Sequence, residues 1–280
     1  MINDDTLPKL ALGTWMMGDN RSPNNDEDGD ISAIKLALDN GVSLIDTAQM
    51  YADGRCEELV GRAIRDRLRD SYQILTKQKA SKLSYNNVLN GARASLLRLG
   101  VDYIDYFVCH APNADFDTRD FFLAANQLHK DGLIRHVGVS NFGPKSLQVA
   151  LDTSDMPISL NQVSFSMVDS DILRTGTYDF CVRHNIPIQA YRVFARLKYN
   201  KEVMEMLESI APRYDVTAYQ LALAYINSYD DIHFTIKASS TEHWKQIKAA
   251  MTIELKSEDL ETLRSLHESK HGDTMAYLTI

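Results

Sequence analysis

An apolar run that ends in an acid is the first place where this sequence could do chemistry. Leu44 and Ile45 lead into Asp46, and Tyr51 follows five residues later. An unpaired buried carboxylate costs several kcal/mol or takes up a proton, so an acid at the end of a buried strand needs a partner. We therefore expect a group nearby that keeps Asp46 charged, and a role for Tyr51 beside it.

Polar and aromatic side chains also end the other apolar runs. The sequence predicts eight strands, at residues 10–15, 42–48, 72–77, 103–110, 133–141, 158–164, 186–192 and 232–238. The side chains at or near their carboxyl ends are Thr14, Trp15, Asp46, Lys77, His110, Ser140, Asn141, Gln162, Tyr191 and Lys237. Taken singly, each has a structural explanation, such as a cap for Asp46 or a core position for His110. If the strand ends meet, however, an acid, a base, an imidazole and a phenol converge, and such groups shift one another's pKa values.

Amphipathic stretches separate the strands and indicate the fold class. They cover residues 32–40, 56–68, 87–99, 119–130, 144–151, 171–184 and 216–229, and a last one covers 258–270. This alternation predicts a single-domain α/β fold, a (β/α)₈ TIM barrel over residues 1–280, with its active site at the C-terminal ends of the strands. A doubly wound open sheet is the second choice, because the first strand ends without a G-x-G-x-x-G phosphate turn.

Composition restricts the partners. The chain has 44% hydrophobic and 24% charged residues and a formal net charge of −8, with no basic cluster for nucleic acid. Residues 24–30 are acidic and are typical of a solvated loop that enters a helix. No run approaches the roughly 20 apolar residues that span a bilayer, and the N-terminus lacks a signal-peptide pattern. The widely spaced Cys56, Cys109 and Cys181 fit neither a disulfide framework nor a metal site, so we expect a cytoplasmic protein without metal.

Several longer motifs resemble those of the aldo-keto reductase superfamily, in the family's order and over nearly the whole chain. They are LPKLALGTW, VSLIDTAQMYADGRCEELVGRAI, LTK, YIDYFVCHAP, GLIRHVGVSNF and LNQVSFS. The second resembles the family signature G-x-x-x-I/F-D-T-A-x-x-Y…E-x-x-V/L-G, and the fourth resembles D-x-x-x-x-H-x-P. The resemblance implies the barrel fold and the NAD(P)H-dependent reduction of an aldehyde or ketone to an alcohol.

The resemblance also assigns roles to residues. It implies a catalytic tetrad of Asp46, Tyr51, Lys77 and His110. It implies that Tyr191 stacks on the nicotinamide and that Ser140, Asn141 and Gln162 bind its carboxamide. The full set of expected cofactor contacts is Gly13, Thr14, Trp15, Asp46, Ser140, Asn141, Gln162, Tyr191, Arg192, Lys237, Ser239, Ser240 and His243.

Proton chemistry gives the tetrad complementary roles. A carbonyl that accepts hydride becomes an alkoxide and needs a proton donor within hydrogen-bond reach. A free phenol, with a pKa of about 10, is a weak acid near neutrality. A lysine cation about 4 Å away attracts the phenolate by roughly 4 kcal/mol at an effective dielectric of about 20, before desolvation is subtracted. We therefore expect Lys77 to acidify Tyr51, Asp46 to hold Lys77, and His110 to orient the carbonyl.

The phosphate-binding loops depart from the family pattern. After the seventh strand, A-Y-S-P-L-x-x-G is replaced by the bulkier AYRVFAR of residues 190–196, and we expect Arg192 to contact phosphate. After the eighth strand, I-P-K-S…R is replaced by TIKASS…H, in which Lys237, Ser239, Ser240 and His243 remain to hold a 2′-phosphate. The arginine is missing, and arginine suits bidentate phosphate binding better than histidine. We expect NADP(H) to be preferred, with NAD(H) as the alternative cofactor.

The substrate pocket should be apolar and open. Ala111 stands where many relatives carry tryptophan, and Met50 and Tyr191 are further candidates for the pocket wall. We also expect the C-terminal loop that closes the pocket in many relatives to be short or absent. The expected substrate contacts are Trp15, Met17, Tyr51, His110, Ala111 and Phe142.

Two other classes of function remain as alternatives. One is a nicotinamide-binding regulatory or redox-sensing subunit with slow turnover, as among relatives that associate with channels. The complete tetrad argues against it. The other is a metal-dependent sugar isomerase on the same fold, which would need a cluster of acid and histidine ligands at the strand ends.

Overall fold

Eight parallel strands close into a barrel. The computed structural model describes residues 6–19 and 25–268. Each strand pairs in parallel with the next, and the eighth pairs with the first, so the sheet has no free edge. This arrangement confirms the predicted (β/α)₈ barrel and excludes the open sheet. The strands are β1 (Leu10–Gly13), β2 (Leu44–Asp46), β3 (Gln73–Gln78), β4 (Ile104–Cys109), β5 (Ile134–Ser140), β6 (Ile158–Ser164), β7 (Ile188–Tyr191) and β8 (Ile232–Ile236).

Helices surround the barrel. In the described residues they are α1 (Glu27–Asp39), α2 (Arg55–Ile64), α3 (Tyr85–Leu99), α4 (Arg119–Lys130), α5 (Pro144–Thr153), α6 (Asp171–Arg174), α7 (Thr177–Arg183), α8 (Lys201–Ile210), α9 (Ala218–Asn227), α10 (Thr241–Ala250) and α11 (Ser257–Glu268). The sequence analysis predicted no helix at α8, and it expected a helix after the eighth strand, where α10 lies, without giving its bounds. The stretch predicted at 171–184 is divided into α6 and α7 at Gly176, whose φ of 73° is left-handed and cannot continue a helix.

The acidic run is part of a helix start. The carboxylate of Asp26 accepts a hydrogen bond from the Gly29 N–H and caps α1, which begins at Glu27. Acids in the first turn are favourable because the helix dipole is positive at this end. The helix therefore begins earlier than the predicted residue 32.

Side-chain alternation along the strands brings polar groups to one end of the barrel. Inside the barrel, a small apolar cluster contains Leu44 of β2, Leu75 of β3 and Leu160 of β6. Successive side chains of a strand point to opposite faces, so the residue two positions further on shares the inward face. The residues two positions after these leucines are Asp46, Lys77 and Gln162. The strand period alone therefore directs these three polar groups inward at the carboxyl ends.

Some sequence-based expectations concern parts of the chain outside the described residues. These are the domain limits at 1–5 and 269–280, residues 20–24 and the C-terminal loop, which stay predictions. Within the described residues, no helix has the length and apolar character to cross a bilayer, and no group of three or more His, Cys, Asp or Glu is arranged to hold a metal ion. Cys56, Cys109 and Cys181 are buried free thiols.

Candidate active site

A cavity of 690 Å³ opens at the carboxyl ends of the strands. Side chains from distant parts of the chain meet there, because every strand of a closed parallel barrel ends at the same mouth. Of the predicted site residues, those that line it are Gly13, Thr14, Trp15, Asp46, Tyr51, His110, Ser140, Asn141, Gln162, Tyr191, Arg192 and Lys237. Lys77 lies behind this lining and is completely buried.

Lys77 joins Asp46 and Tyr51 in one buried cluster. Its ammonium donates to the Asp46 carboxylate, to the Thr47 carbonyl at 2.9 Å and to the Tyr51 hydroxyl at 3.3 Å. These three acceptors use all three ammonium protons. The second carboxylate oxygen of Asp46 accepts from Gln162 Nε2 at 2.8 Å. The acid that ends β2 is thus paired with a cation, as its burial requires.

The electrostatics of this cluster keep the proton on the phenol. Burial raises the pKa of Tyr51 above its usual value of 10.0, Lys77 opposes that shift, and Asp46 adds to it. Burial lowers the pKa of Lys77, but Asp46 and Tyr51 together outweigh burial and hold this pKa above 10.5. Lys77 thus lowers the pKa of Tyr51, as expected, but desolvation outweighs this attraction and the pKa stays above its usual value. Tyr51 still carries the proton that an alkoxide would take.

His110 presents a neutral imidazole to the same cavity. Burial and the Lys77 charge lower the pKa of His110 to about 3, so the ring holds a single proton at neutral pH. The ring meets the ring of Tyr51 edge-on, with centroids 5.9 Å apart. The buried Nδ1 has no hydrogen-bond partner among the described residues. Because orphaned N–H groups are rarer than orphaned acceptors, we place the proton on Nε2, where it can donate to a carbonyl oxygen.

Tyr51 begins a short segment with an unusual backbone. Ala52 and Asp53 have φ values of 47° and 53°, and Gly54 has a φ of 95°. The left-handed region costs a non-glycine residue about 1–2 kcal/mol. Two such residues in succession need support from the surrounding structure. The sequence pattern did not predict this turn.

Asn141, which directly follows β5, connects a second group of polar side chains at the cavity, namely Ser140 of β5 and Tyr191 of β7. With a φ of 61°, Asn141 accepts a hydrogen bond from the Tyr191 hydroxyl at 2.8 Å. Its Nδ2 donates to Ser140 Oγ at 3.0 Å and to the His110 carbonyl at 3.1 Å. These bonds fix the Tyr191 ring at the cavity wall.

Gln162 connects this group to the tetrad. Its Nε2 donates to Asp46 and also to Gln189 Oε1, at 2.7 Å. Both side-chain hydrogen bonds of Gln162 within the described chain use Nε2, which leaves Oε1 available as an acceptor at the cavity. The sequence analysis missed Gln189. The strand period would have found it, because Gln189 lies two residues before Tyr191 and shares its inward face.

Two arginines follow Tyr191 at the cavity. Arg192 and Arg196 line it, both are exposed, and both have left-handed backbones with φ values of 57° and 58°. Within the described chain, neither side chain forms an ion pair or a hydrogen bond. The loop after β7 therefore brings two uncompensated positive charges to the site, which favours an anionic group there.

A second cavity, of 600 Å³, adjoins the first. Phe194, Ile236 and Lys237 line both cavities, and Ser239 and His243 line the second. Together the two cavities form an elongated groove from the barrel mouth to the start of α10. Such a groove suits a long ligand with polar groups at both ends.

Ser240 and Lys237 have partners within the protein. Ser240 Oγ accepts from the His243 N–H at 3.1 Å and caps α10, and Ser240 lines neither cavity. Lys237 Nζ lies 4.0 Å from Asp30 Oδ1, so α1 partly balances its charge. The group expected to hold a 2′-phosphate therefore consists of Lys237, Ser239 and His243 at the groove, with Ser240 behind it.

Three residues expected at the substrate pocket do not line the cavity. Met17 and Phe142 are completely buried in the main core, where the Phe142 ring packs edge-on against Phe122 at 6.4 Å. Ala111 is half-buried beyond β4. Trp15 and Met50 do form part of the wall. Wall residues that the sequence analysis did not assign to the substrate or the cofactor are Val193, Phe194, Ala195, Arg196, Tyr199, Thr235 and Ile236.

Comparison with known proteins places this chain in a family. The profile of the Aldo/keto reductase family matches residues 9–268. The chain belongs to this family. Among curated relatives, this aldo/keto reductase is 29% identical over 282 residues to methylglyoxal reductase YeaE of Escherichia coli K12, a match that covers 97% of this chain and 95% of that protein.

Solved structures show the same barrel. The thermostable aldo-keto reductase Tm1743, crystallised with the inhibitor epalrestat, superposes with a TM-score of 0.88 at 32% identity, covering 93% of this chain and 95% of that one. An aldo-keto reductase from Klebsiella pneumoniae in complex with NADPH gives a TM-score of 0.82 at 30% identity, covering 98% and 95% of the two chains. Both relatives therefore share the barrel fold with this chain over nearly its full length, at 30% identity or more.

Proposed function

We propose that this aldo/keto reductase reduces a small aldehyde or ketone to an alcohol with NADPH, and that Tyr51 is the proton donor. The observation that carries the proposal is the Tyr51 hydroxyl, which lies 3.3 Å from the Lys77 ammonium at a cavity that His110 also lines. The NADPH complex of the Klebsiella relative supports the cofactor. The Escherichia coli relative supports methylglyoxal as a candidate substrate.

The tetrad residues divide the work on the carbonyl. His110 donates from Nε2 to the carbonyl oxygen and orients it. As that oxygen becomes an alkoxide, the Tyr51 hydroxyl gives up its proton. Lys77 stabilises the phenolate that remains, and Asp46 keeps Lys77 charged and in place. These groups are fixed before the reaction, so they stabilise the developing charge without reorganisation.

The groove residues fit a nicotinamide dinucleotide, which supplies the hydride when it is bound. The available Gln162 Oε1 and the Ser140 hydroxyl suit a carboxamide, and Tyr191 offers an aromatic face to a nicotinamide. Arg192 suits a diphosphate. Further proposed contacts are Gly13, Thr14 and Trp15 at the end of β1, and Lys237, Ser239 and His243 near a 2′-phosphate, with Ser240 capping α10 behind them.

Steady-state oxidation of NADPH tests the proposal. A panel of small aldehydes and ketones that includes methylglyoxal should give saturable turnover with at least one member. Cofactor binding without turnover on any member would favour the regulatory or redox-sensing subunit. Activity that requires a divalent ion would favour the isomerase.

Lys237→Ala should weaken the binding of NADPH more than that of NADH. Lys237 lines both cavities, and its removal takes away a positive charge suited to the 2′-phosphate, which NADH lacks. We expect the Kd of NADPH to rise roughly tenfold, or about 1.4 kcal/mol, while the Kd of NADH changes little. Titration of wild type and variant with both cofactors measures this. Equal affinities for NADPH and NADH in the wild type would rule out the assigned preference.

The rate should not fall when the pH passes through the usual pKa of histidine. The pKa of His110 is lowered to about 3, so the ring keeps its neutral, donating form at every pH well above that value. We expect kcat/KM to show no inflection near pH 6.5 when it is measured between about pH 5 and about pH 8. An inflection there that disappears in His110→Gln would mean that the ring titrates normally despite its burial.

A further inference from the structure

Gln49 fixes the beginning of the segment that carries Tyr51. Gln49 is buried, two residues before Tyr51. Its Nε2 donates to Gln78 Oε1 at 3.0 Å and to Ser95 Oγ at 3.2 Å, and its Oε1 accepts from the Lys79 N–H at 3.2 Å. This one side chain therefore attaches the segment to the end of β3 and to α3.

An ion pair with a buried carboxylate fixes the end of the same segment. Glu57 is completely buried and accepts from Arg98 at 2.7 Å (Nε) and 2.6 Å (Nη2), and from Thr76 Oγ1 at 2.6 Å. Thr76 directly precedes Lys77 on β3. Arg98 packs against Gly54, where an added Cβ would lie 2.7 Å from Arg98 Nε. The backbone of Gly54 is thus held close to the same ion pair.

The left-handed residues lie between these two anchors. Ala52 and Asp53 adopt a conformation that non-glycine residues avoid, so it persists only where the surroundings impose it. Ser95 links the anchors, because Arg98 Nη2 also donates to its hydroxyl at 3.4 Å. The Lys79–Asp53 ion pair, at 2.9 Å, is exposed and contributes little in water. The buried contacts are therefore better able than this ion pair to impose the turn.

We infer that Gln49 and the Glu57–Arg98 pair are positioning residues, which hold residues 52–54 in the left-handed turn that keeps the Tyr51 hydroxyl beside Lys77. Neither Gln49 nor the ion pair lines the cavity, so their effect on the reaction passes through Tyr51. The inference rests on the proposed function, since it assumes that Tyr51 is the proton donor. A displacement of about 1 Å in a reacting group costs up to roughly 10²-fold in rate.

Gln49→Met tests this inference, because it keeps the length of the side chain and removes its hydrogen bonds. We expect kcat to fall on the order of tenfold at a temperature well below unfolding, while the Kd of NADPH stays unchanged. Lys79→Met is the matched control. It removes the exposed ion pair of the same segment and should keep the wild-type kcat.

A double-mutant cycle with Tyr51→Phe separates positioning from general destabilisation. If Gln49 acts through the Tyr51 hydroxyl, Gln49→Met should cost almost nothing in the Tyr51→Phe background. Equal losses in both backgrounds, or an unchanged kcat in Gln49→Met alone, would overturn the inference. If Gln49→Met does not fold, Ser95→Ala replaces it in the same cycle, because that hydroxyl accepts from both anchors. Failure of the proposed function looks different, because Tyr51→Phe by itself would then keep its turnover.

Discussion

Tyr51→Phe should lower kcat and kcat/KM alike by roughly 10²–10⁴-fold, the contribution of a positioned general acid. The variant loses one hydroxyl, and the transition state uses that hydroxyl far more than the ground state does. The Tyr191 ring is held by Asn141 and does not depend on Tyr51, so cofactor binding should persist. Steady-state kinetics give the loss of rate, and quenching of protein fluorescence gives the affinity for NADPH.

Tyr178→Phe is the matched control for Tyr51→Phe. Tyr178 lies on α7, where its hydroxyl accepts from the Asp230 N–H at 3.0 Å, and it does not line the cavity. Loss of this hydroxyl should leave kcat unchanged. Near-full carbonyl reduction by Tyr51→Phe would show that the role assigned to Tyr51 is wrong, and His110 would become the next candidate for the donor.

Lys77→Met should lose both activity and stability. The ammonium is completely buried, and its loss leaves the Asp46 carboxylate without its cation. Removal of one partner of a buried ion pair costs about 3–5 kcal/mol in the free energy of unfolding. The rate should fall on the order of 10²-fold or more, because the phenolate of Tyr51 loses the charge beside it. Chemical denaturation and steady-state kinetics measure the two effects.

Addition of Asp46→Asn to Lys77→Met separates the two losses. The amide needs no cation and can still interact with Gln162, so the double variant should regain much of the free energy of unfolding. It should not regain activity, because no charge is restored beside Tyr51. A Lys77→Met variant as stable as the wild type would contradict the stabilising effect of the ion pair. A variant with the wild-type rate would contradict the role of Lys77 in catalysis.

The barrel and the meeting of Asp46 with Lys77 could be predicted because both depend on short-range patterns. Asp46 and Lys77 each lie two residues beyond a barrel-interior leucine, so the strand period directs them to the same mouth. The motif around Tyr51 supplied the phenol. The helix α8 was missed because α9 alone already satisfied the alternation of strands and helices.

Residue type alone could not tell which apolar residues line the pocket and which pack in the core. Met17 and Phe142 are as apolar as Met50 and Trp15, and they stand equally close to strand ends. Packing decides between them: Met17 and Phe142 fill the core, whereas Met50 and Trp15 remain half or more exposed at the cavity. No local sequence pattern distinguishes an apolar residue that packs in the core from one that lines the cavity.

The sequence by itself determined the fold and the family, because the period of burial and the spacing of motifs are local properties of the chain, and the resemblance of those motifs led to the proposed tetrad. Only the tertiary structure decided the protonation of the site. The direction of the Tyr51 pKa depends on desolvation by residues far away in sequence, and that desolvation outweighs Lys77. The tertiary structure also revealed the left-handed turn after Tyr51, which we infer is held by contacts from Gln49 and Arg98. Contacts of this kind join residues that are distant in sequence and leave no periodic trace in it.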